Sequence, residues 1–95
     1  MHYVYILWSK RLGRYYVGET EDPIQRLRQH NEHLSKDAST AVTNDWQMLC
    51  SIMCEDRAHA RRIERFIKRQ KSRRTITALI SDEHYRQKVI RETRA

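Results

Sequence analysis

The chain has 95 residues, 39% hydrophobic and 33% charged, and its 19 Lys and Arg against 12 Asp and Glu give a formal charge of +7. That length holds one domain near the lower limit for a comfortable core, and two Gly with one Pro exclude collagen-like, mucin-like and linker compositions. The apolar runs are too short for a transmembrane helix, and Met1-His2-Tyr3-Val4-Tyr5 lacks the basic-then-apolar order of a secretory signal, so the expectation is a soluble cytoplasmic protein.

Residues 2–8, His-Tyr-Val-Tyr-Ile-Leu-Trp, are β-branched and aromatic and predict a strand; residues 14–20, Arg-Tyr-Tyr-Val-Gly-Glu-Thr, predict a second. The short connection through Gly13 fits a hairpin with Ser9 opposite Arg14. That register sets Tyr5 opposite Gly18 and Leu7 opposite Tyr16, all four on one face, and a slip of one residue would divide the two tyrosines. A helix start follows: Asp22 is a good N-cap, Pro23 suits the first helical position, and Gln25 completes a capping box. Its predicted stripe is Ile24, Leu27 and Leu34, with Arg26 and His30 on a neighbouring face.

Residues 35–45 read as a polar loop. From Trp46 the chain alternates, and Trp46, Met48, Cys50, Ile52 and Cys54 predict a third strand with its even positions inward. Asp56 caps a second helix over Arg57–Gln70, with Ala60, Ile63 and Ile67 as its stripe and Phe66 beside them. Ile76, Leu79 and Ile80 suggest a short third helix, and Asp82 caps a polar tail helix to Thr93. The expected fold is α/β of the α+β kind: a small three-stranded antiparallel sheet flanked by helices, in the order ββαβαα plus a C-terminal helix. The expected division is a domain over residues 1–80 and a helical tail over 81–95. Cys50 and Cys54, four apart on a strand, lie about 13 Å from each other, too far for a disulfide. With no nearby His pair they are too few for a zinc site, and read as reduced and buried.

Charge adds a functional reading. Residues 57–74 hold Arg57, Arg61, Arg62, Arg65, Lys68, Arg69, Lys71, Arg73 and Arg74 against one acid, Glu64, a net +8; the other ten basic and eleven acidic residues leave −1. Such a segment attracts polyanions through counterion release, and the predominance of Arg suits bidentate phosphate contacts. DNA, duplex or branched, is the expected partner.

Tyr3-Val4-Tyr5, followed by Tyr15-Tyr16-Val17-Gly18 some ten residues later, resembles the paired GIY and YIG motifs of the GIY-YIG nuclease superfamily. Arg26 and His30 on the first helix and Glu64 on the second have the family's order and approximate spacing. The resemblance covers residues 1 to about 80 and is strongest to the small stand-alone members; related domains occur in the incision subunit of bacterial excision repair and in some homing and restriction enzymes. Tyr3 stands where the motif has its first Gly, and the Asn or Lys that some relatives place late in the domain has no counterpart assigned here. Tyr3, Val4, Val17 and Gly18 are then structural motif positions, and Tyr5, Tyr16, Arg26, His30 and Glu64 the catalytic set. The resemblance implies a tyrosine base, an Arg clamp and a Glu-bound metal at the leaving 3′ oxygen, yielding 5′-phosphate and 3′-hydroxyl ends.

The residues themselves suit that chemistry. Phosphodiester hydrolysis needs an activated water, neutralised phosphate charge and a stabilised leaving oxygen. Tyr5 or Tyr16 can orient water or offer a phenolate, Arg26 can bridge phosphate oxygens, His30 can relay a proton, and Glu64 can hold Mg²⁺ or Mn²⁺ with waters filling the other positions. Gly18 reads either as a turn or bulge residue or as room over the sheet for a phosphate. The expectation is a metal-dependent endonuclease, a monomer without a small-molecule cofactor, acting in DNA repair or recombination with low sequence specificity. The alternative is a non-catalytic nucleic-acid-binding module on the same fold.

Overall fold

The two tyrosine motifs pair as predicted. In the computed structural model, which describes residues 1–32 and 43–94, β1 (His2–Ser9) and β2 (Arg14–Thr20) form an antiparallel hairpin with Ser9 opposite Arg14, Leu7 opposite Tyr16 and Tyr5 opposite Gly18. Gly13 closes the turn at φ +61°, a left-handed conformation, and its N–H donates to the Ser9 carbonyl at 2.8 Å. β3 (Trp46–Cys54) runs antiparallel along the other side of β1, so the sheet order is β2-β1-β3 among the described residues.

The helices are α1 (Pro23–Asn31), α2 (Arg57–Gln70), α3 (Arg73–Ser81) and α4 (Glu83–Glu92), which gives the expected α+β order. Asp22, Asp56, Ser72 and Asp82 each accept a backbone N–H of the first turn. One sheet face carries Val4, Ile6, Val17, Ile52 and Cys54 against Ala60, Ile63 and Ile67 of α2, Leu79 of α3 and Val89 of α4. The other carries Tyr5, Leu7 and Trp46, with Tyr16, Met48 and Leu27 of α1 packed on them. The helix expected to be a polar tail thus supplies a core residue. His59, fully buried in α2, fixes it: Glu55 N–H donates to Nδ1 at 3.2 Å, and Nε2 donates to the Ile90 carbonyl at 3.1 Å.

Two expectations require correction. The even positions of β3 do not share one face. The ladder shifts between Ile6, opposite Cys50, and Leu7, opposite Met48. Leu49 is therefore the extra residue of a β-bulge, and it moves Trp46 and Met48 onto the α1 face while Cys50, Ile52 and Cys54 stay on the α2 face. Nor does Ile24 belong to the stripe of α1: it is 82% exposed. It sits in the first turn, whereas α1 meets the sheet through its second half, Leu27 and the buried His30. Asn31 then pins the helix end to β3, accepting from Trp46 N–H at 2.8 Å and donating to the Trp46 carbonyl at 3.0 Å. The expected helix end at Leu34 and most of the expected 35–45 loop lie outside the described residues.

Candidate active site

The site begins with a close approach. Tyr5, 1% exposed, lays its phenol across Gly18 on the neighbouring strand; a Cβ there would stand 2.6 Å from the Tyr5 hydroxyl and 2.7 Å from Cζ. Glycine is required at this position by the ring, and the space over it is not open to a phosphate, contrary to one sequence reading. The Tyr5 hydroxyl shares a 2.8 Å hydrogen bond with Nε2 of His30, itself 1% exposed. Tyr16 completes the cluster, with its ring centroid 5.0 Å from His30, edge-on, and 6.2 Å from Tyr5. Tyr5 and His30 form the buried back of the group, and half-buried Tyr16 is its member nearer solvent. The motif valines Val4 and Val17 are core residues of the opposite face, and Tyr3 is half-buried opposite Thr20 and Met53.

Arg26 of α1 and Glu64 of α2 each line a cavity that includes Glu19 of β2. Arg26 lines a cavity of about 380 Å³ with Glu19, Thr20, Gln29 and Arg57. Glu64 lines one of about 360 Å³ with Glu19, Arg57, Arg61, Arg65 and Lys68. Glu19 and Arg57 are common to both. Lys68 is in turn common to the Glu64 cavity and a third, of about 430 Å³, along the 13–17 stretch of the hairpin. Arg26 and Glu64 therefore open onto cavities that share walls, while the rings of Tyr5, Tyr16 and His30 cluster on the α1 face of the sheet.

The Glu64 carboxylate lies 3.1 Å from Lys68 Nζ, one turn along α2, and its side chain is 23% exposed. Ile63 and Ile67, both buried, hold that turn against the sheet. Glu19 was not foreseen. It follows Gly18 directly, and strand alternation points it toward α2, where it bonds to the His2 ring and lies 3.5 Å from Arg57 Nε. Those partners come from β1 and α2, which no local pattern reveals. No group of three or more His, Cys, Asp or Glu that could hold a metal occurs among the described residues. A cation here would rest on Glu64, with Glu19 in the same cavity, and complete its shell with water and phosphate oxygens, as a hard divalent ion does.

The nine basic residues do not form one face. Arg57, Arg61, Arg65 and Lys68 surround Glu64. Arg62 donates to the Thr93 carbonyl at 2.6 Å and, with Arg65 and Arg69, faces α4. Arg73 reaches back to the hairpin, with Nη2 2.5 Å from the Gly13 carbonyl and its guanidinium carbon 5.5 and 5.3 Å from the Trp8 and Tyr15 ring centroids. Lys71 borders the hairpin cavity, and Arg74 is exposed. Cys50 and Cys54 are free thiols on the α2 side; burial pushes Cys54 up to about 11 and raises Cys50 as well, so both are protonated at neutral pH.

The GIY-YIG catalytic domain matches residues 1–77 of this chain. The chain belongs to the GIY-YIG family. The sheet, helix order and motif pairing described above are those of a GIY-YIG domain. Structure-specific endonuclease subunit SLX1 homologs 1 and 2 of Trypanosoma cruzi are each 41% identical to it over 56 residues, which is 54% of this chain and 11% of theirs. The GIY-YIG chain thus spans a small part of the curated relatives it matches. No solved structure matches it significantly.

Proposed function

We propose that this GIY-YIG domain is a divalent-metal-dependent endonuclease that cuts DNA at structural features, with little base-sequence preference, in repair or recombination. The observation that carries the reading is the placement of Glu64. A carboxylate lined by Arg57, Arg61, Arg65 and Lys68 shares Glu19 and Arg57 with the cavity of Arg26. The relatives' name, structure-specific endonuclease subunit, supports the substrate class. A small domain has few side chains to spare for base edges, which supports weak sequence preference. The word subunit lends no support to a monomer.

In this mechanism Arg26 grips two non-bridging oxygens of the scissile phosphate through paired N–H groups. Tyr16, the tyrosine nearer solvent, orients the attacking water and in its phenolate form takes the water's proton to become the neutral phenol, and the Tyr5–His30 pair fixes the rings behind it. Glu64 and Glu19 would hold Mg²⁺ or Mn²⁺; Lys68, 3.1 Å from Glu64, marks where positive charge already sits. When bound, the ion supplies charge stabilisation at the departing 3′ oxygen. Glu64→Gln keeps the shape and removes the charge. Cleavage of branched and plasmid DNA with Mg²⁺ or Mn²⁺ should fall at least ~10²-fold, while gel-shift binding persists. A variant that cuts at the wild-type rate would remove Glu64 from the mechanism. A wild-type protein that binds but cuts neither substrate with either ion would favour the non-catalytic module.

A further inference from the structure

Lys68 also borders a groove between the hairpin end and the α2–α3 junction. Val17 and Ile67 give it an apolar floor, Lys68 and Lys71 border it, and Arg73 and Tyr15 close its far end; no acidic side chain lines it among the described residues. At about 430 Å³ it has the size of a small-ligand site, enough for one nucleotide.

Two features set this groove apart from a chance crevice. Lys71, the C-cap of α2, has φ 49° and ψ 36°, the left-handed region that helix ends normally give to glycine. A lysine there costs about 1 kcal/mol relative to glycine, and its side chain borders the groove. Arg73 is also fixed in advance, tied to the Gly13 carbonyl and lying over the Trp8 and Tyr15 rings, so a cation beside an aromatic pair waits at the groove's end.

We propose that this groove takes an unpaired nucleotide of the DNA strand adjoining the cleaved phosphate. Lys68 and Lys71 receive its phosphate, and the base lies on the apolar floor toward Tyr15 and Arg73. A duplex offers such a groove only phosphates, because its base faces are stacked; an unpaired base offers a π-face as well, which suits apolar, aromatic and guanidinium surroundings. The inference rests on the nuclease reading, since Lys68 is common to the groove and the Glu64 cavity.

The test uses fluorescence anisotropy in EDTA, with a blunt duplex and the same duplex bearing a short single-stranded extension. The wild-type chain should bind the extended duplex ~10-fold more tightly, in keeping with stacking of one base. Lys71→Gly removes the ammonium and relieves the left-handed strain, so its melting temperature should equal or exceed wild type. It should cut the preference for the extended duplex ~3- to 10-fold and change blunt-duplex affinity less than ~2-fold, as loss of one local phosphate contact would. Equal wild-type affinity for the two duplexes, or a Lys71→Gly loss of the same factor on both, overturns the groove. Cleavage by Glu64→Gln is scored separately. No wild-type preference with Glu64-dependent cutting intact overturns the groove alone, and a wild-type preference with a fully active Glu64→Gln overturns the metal role alone.

Discussion

At Gly18 a single methyl group separates a working arrangement from a disrupted one. In Gly18→Ala the new Cβ meets the Tyr5 phenol at 2.6 Å, and the ring must leave its 2.8 Å bond to His30. The expected outcome is a loss of about 1–3 kcal/mol in stability together with a marked fall in cleavage. Gly13→Ala is the contrast: its Cβ meets nothing within 4 Å, but φ is +61°. It should lower the melting temperature through strain alone and leave turnover per folded molecule unchanged. Asp45 is the second residue whose role is local. It accepts from Ser9 Oγ at 2.6 Å, Thr43 Oγ1 at 2.7 Å and Arg11 N–H at 2.9 Å, and these bonds lower its pKa from 3.8 to about 2. A depressed carboxylate stabilises the fold above its unfolded value and loses that contribution as pH falls toward 2. Asp45→Asn should therefore melt below wild type at pH 6, with the gap closing as melts are repeated down to pH 2. The Tyr5–Gly18 pair was legible because hairpin length fixes register; the Asp45 clamp was not, because Ser9 lies 36 residues away.

Whole elements were read most reliably where one face alone is buried. α2 repeats its apolar positions at helical spacing behind an Asp cap, and its predicted bounds, cap and stripe all match. β3 misled because all its even positions are apolar. A straight strand with one buried face and a bulged strand with two give the same alternation, and only the partner strand decides between them. α4 misled in the other direction: its polar sequence hides Val89, 3% exposed, and the anchoring of its end by His59 and Arg62. Deleting residues 83–95 should consequently lower urea-unfolding stability by about 3–6 kcal/mol, the burial of one aliphatic side chain plus three hydrogen bonds. A truncated chain as stable as the full one would show that α4 contributes nothing to the core.

Taken as a whole, the molecule distributes its +7 charge around α2 instead of along one side. If about five of the nine basic residues meet phosphates, log K for duplex should fall against log salt with a slope of about −4 to −5. Arg69→Ser and Arg74→Ser should change that slope by at most about one each without moving the melting temperature. Arg73→Ser should lower the melting temperature, because it also severs the link from α3 to the hairpin. Binding titrations at several salt concentrations beside thermal melts separate the two roles. The concentration of charge was visible in the sequence. Its partition was not, since the contact from Arg73 to Gly13 joins residues 60 apart.

The extra residue at Leu49 has a further consequence, for cooperativity. Because β3 switches faces there, one continuous strand supplies Trp46 and Met48 to the tyrosine side and Ile52 and Cys54 to the α2 side. Neither half of the molecule can then melt as a separate unit, since freeing one cluster pulls the same backbone out of the other. The tyrosine cluster, small as it is and packed under the short helix α1, borrows the rigidity of a core on the far side of the sheet.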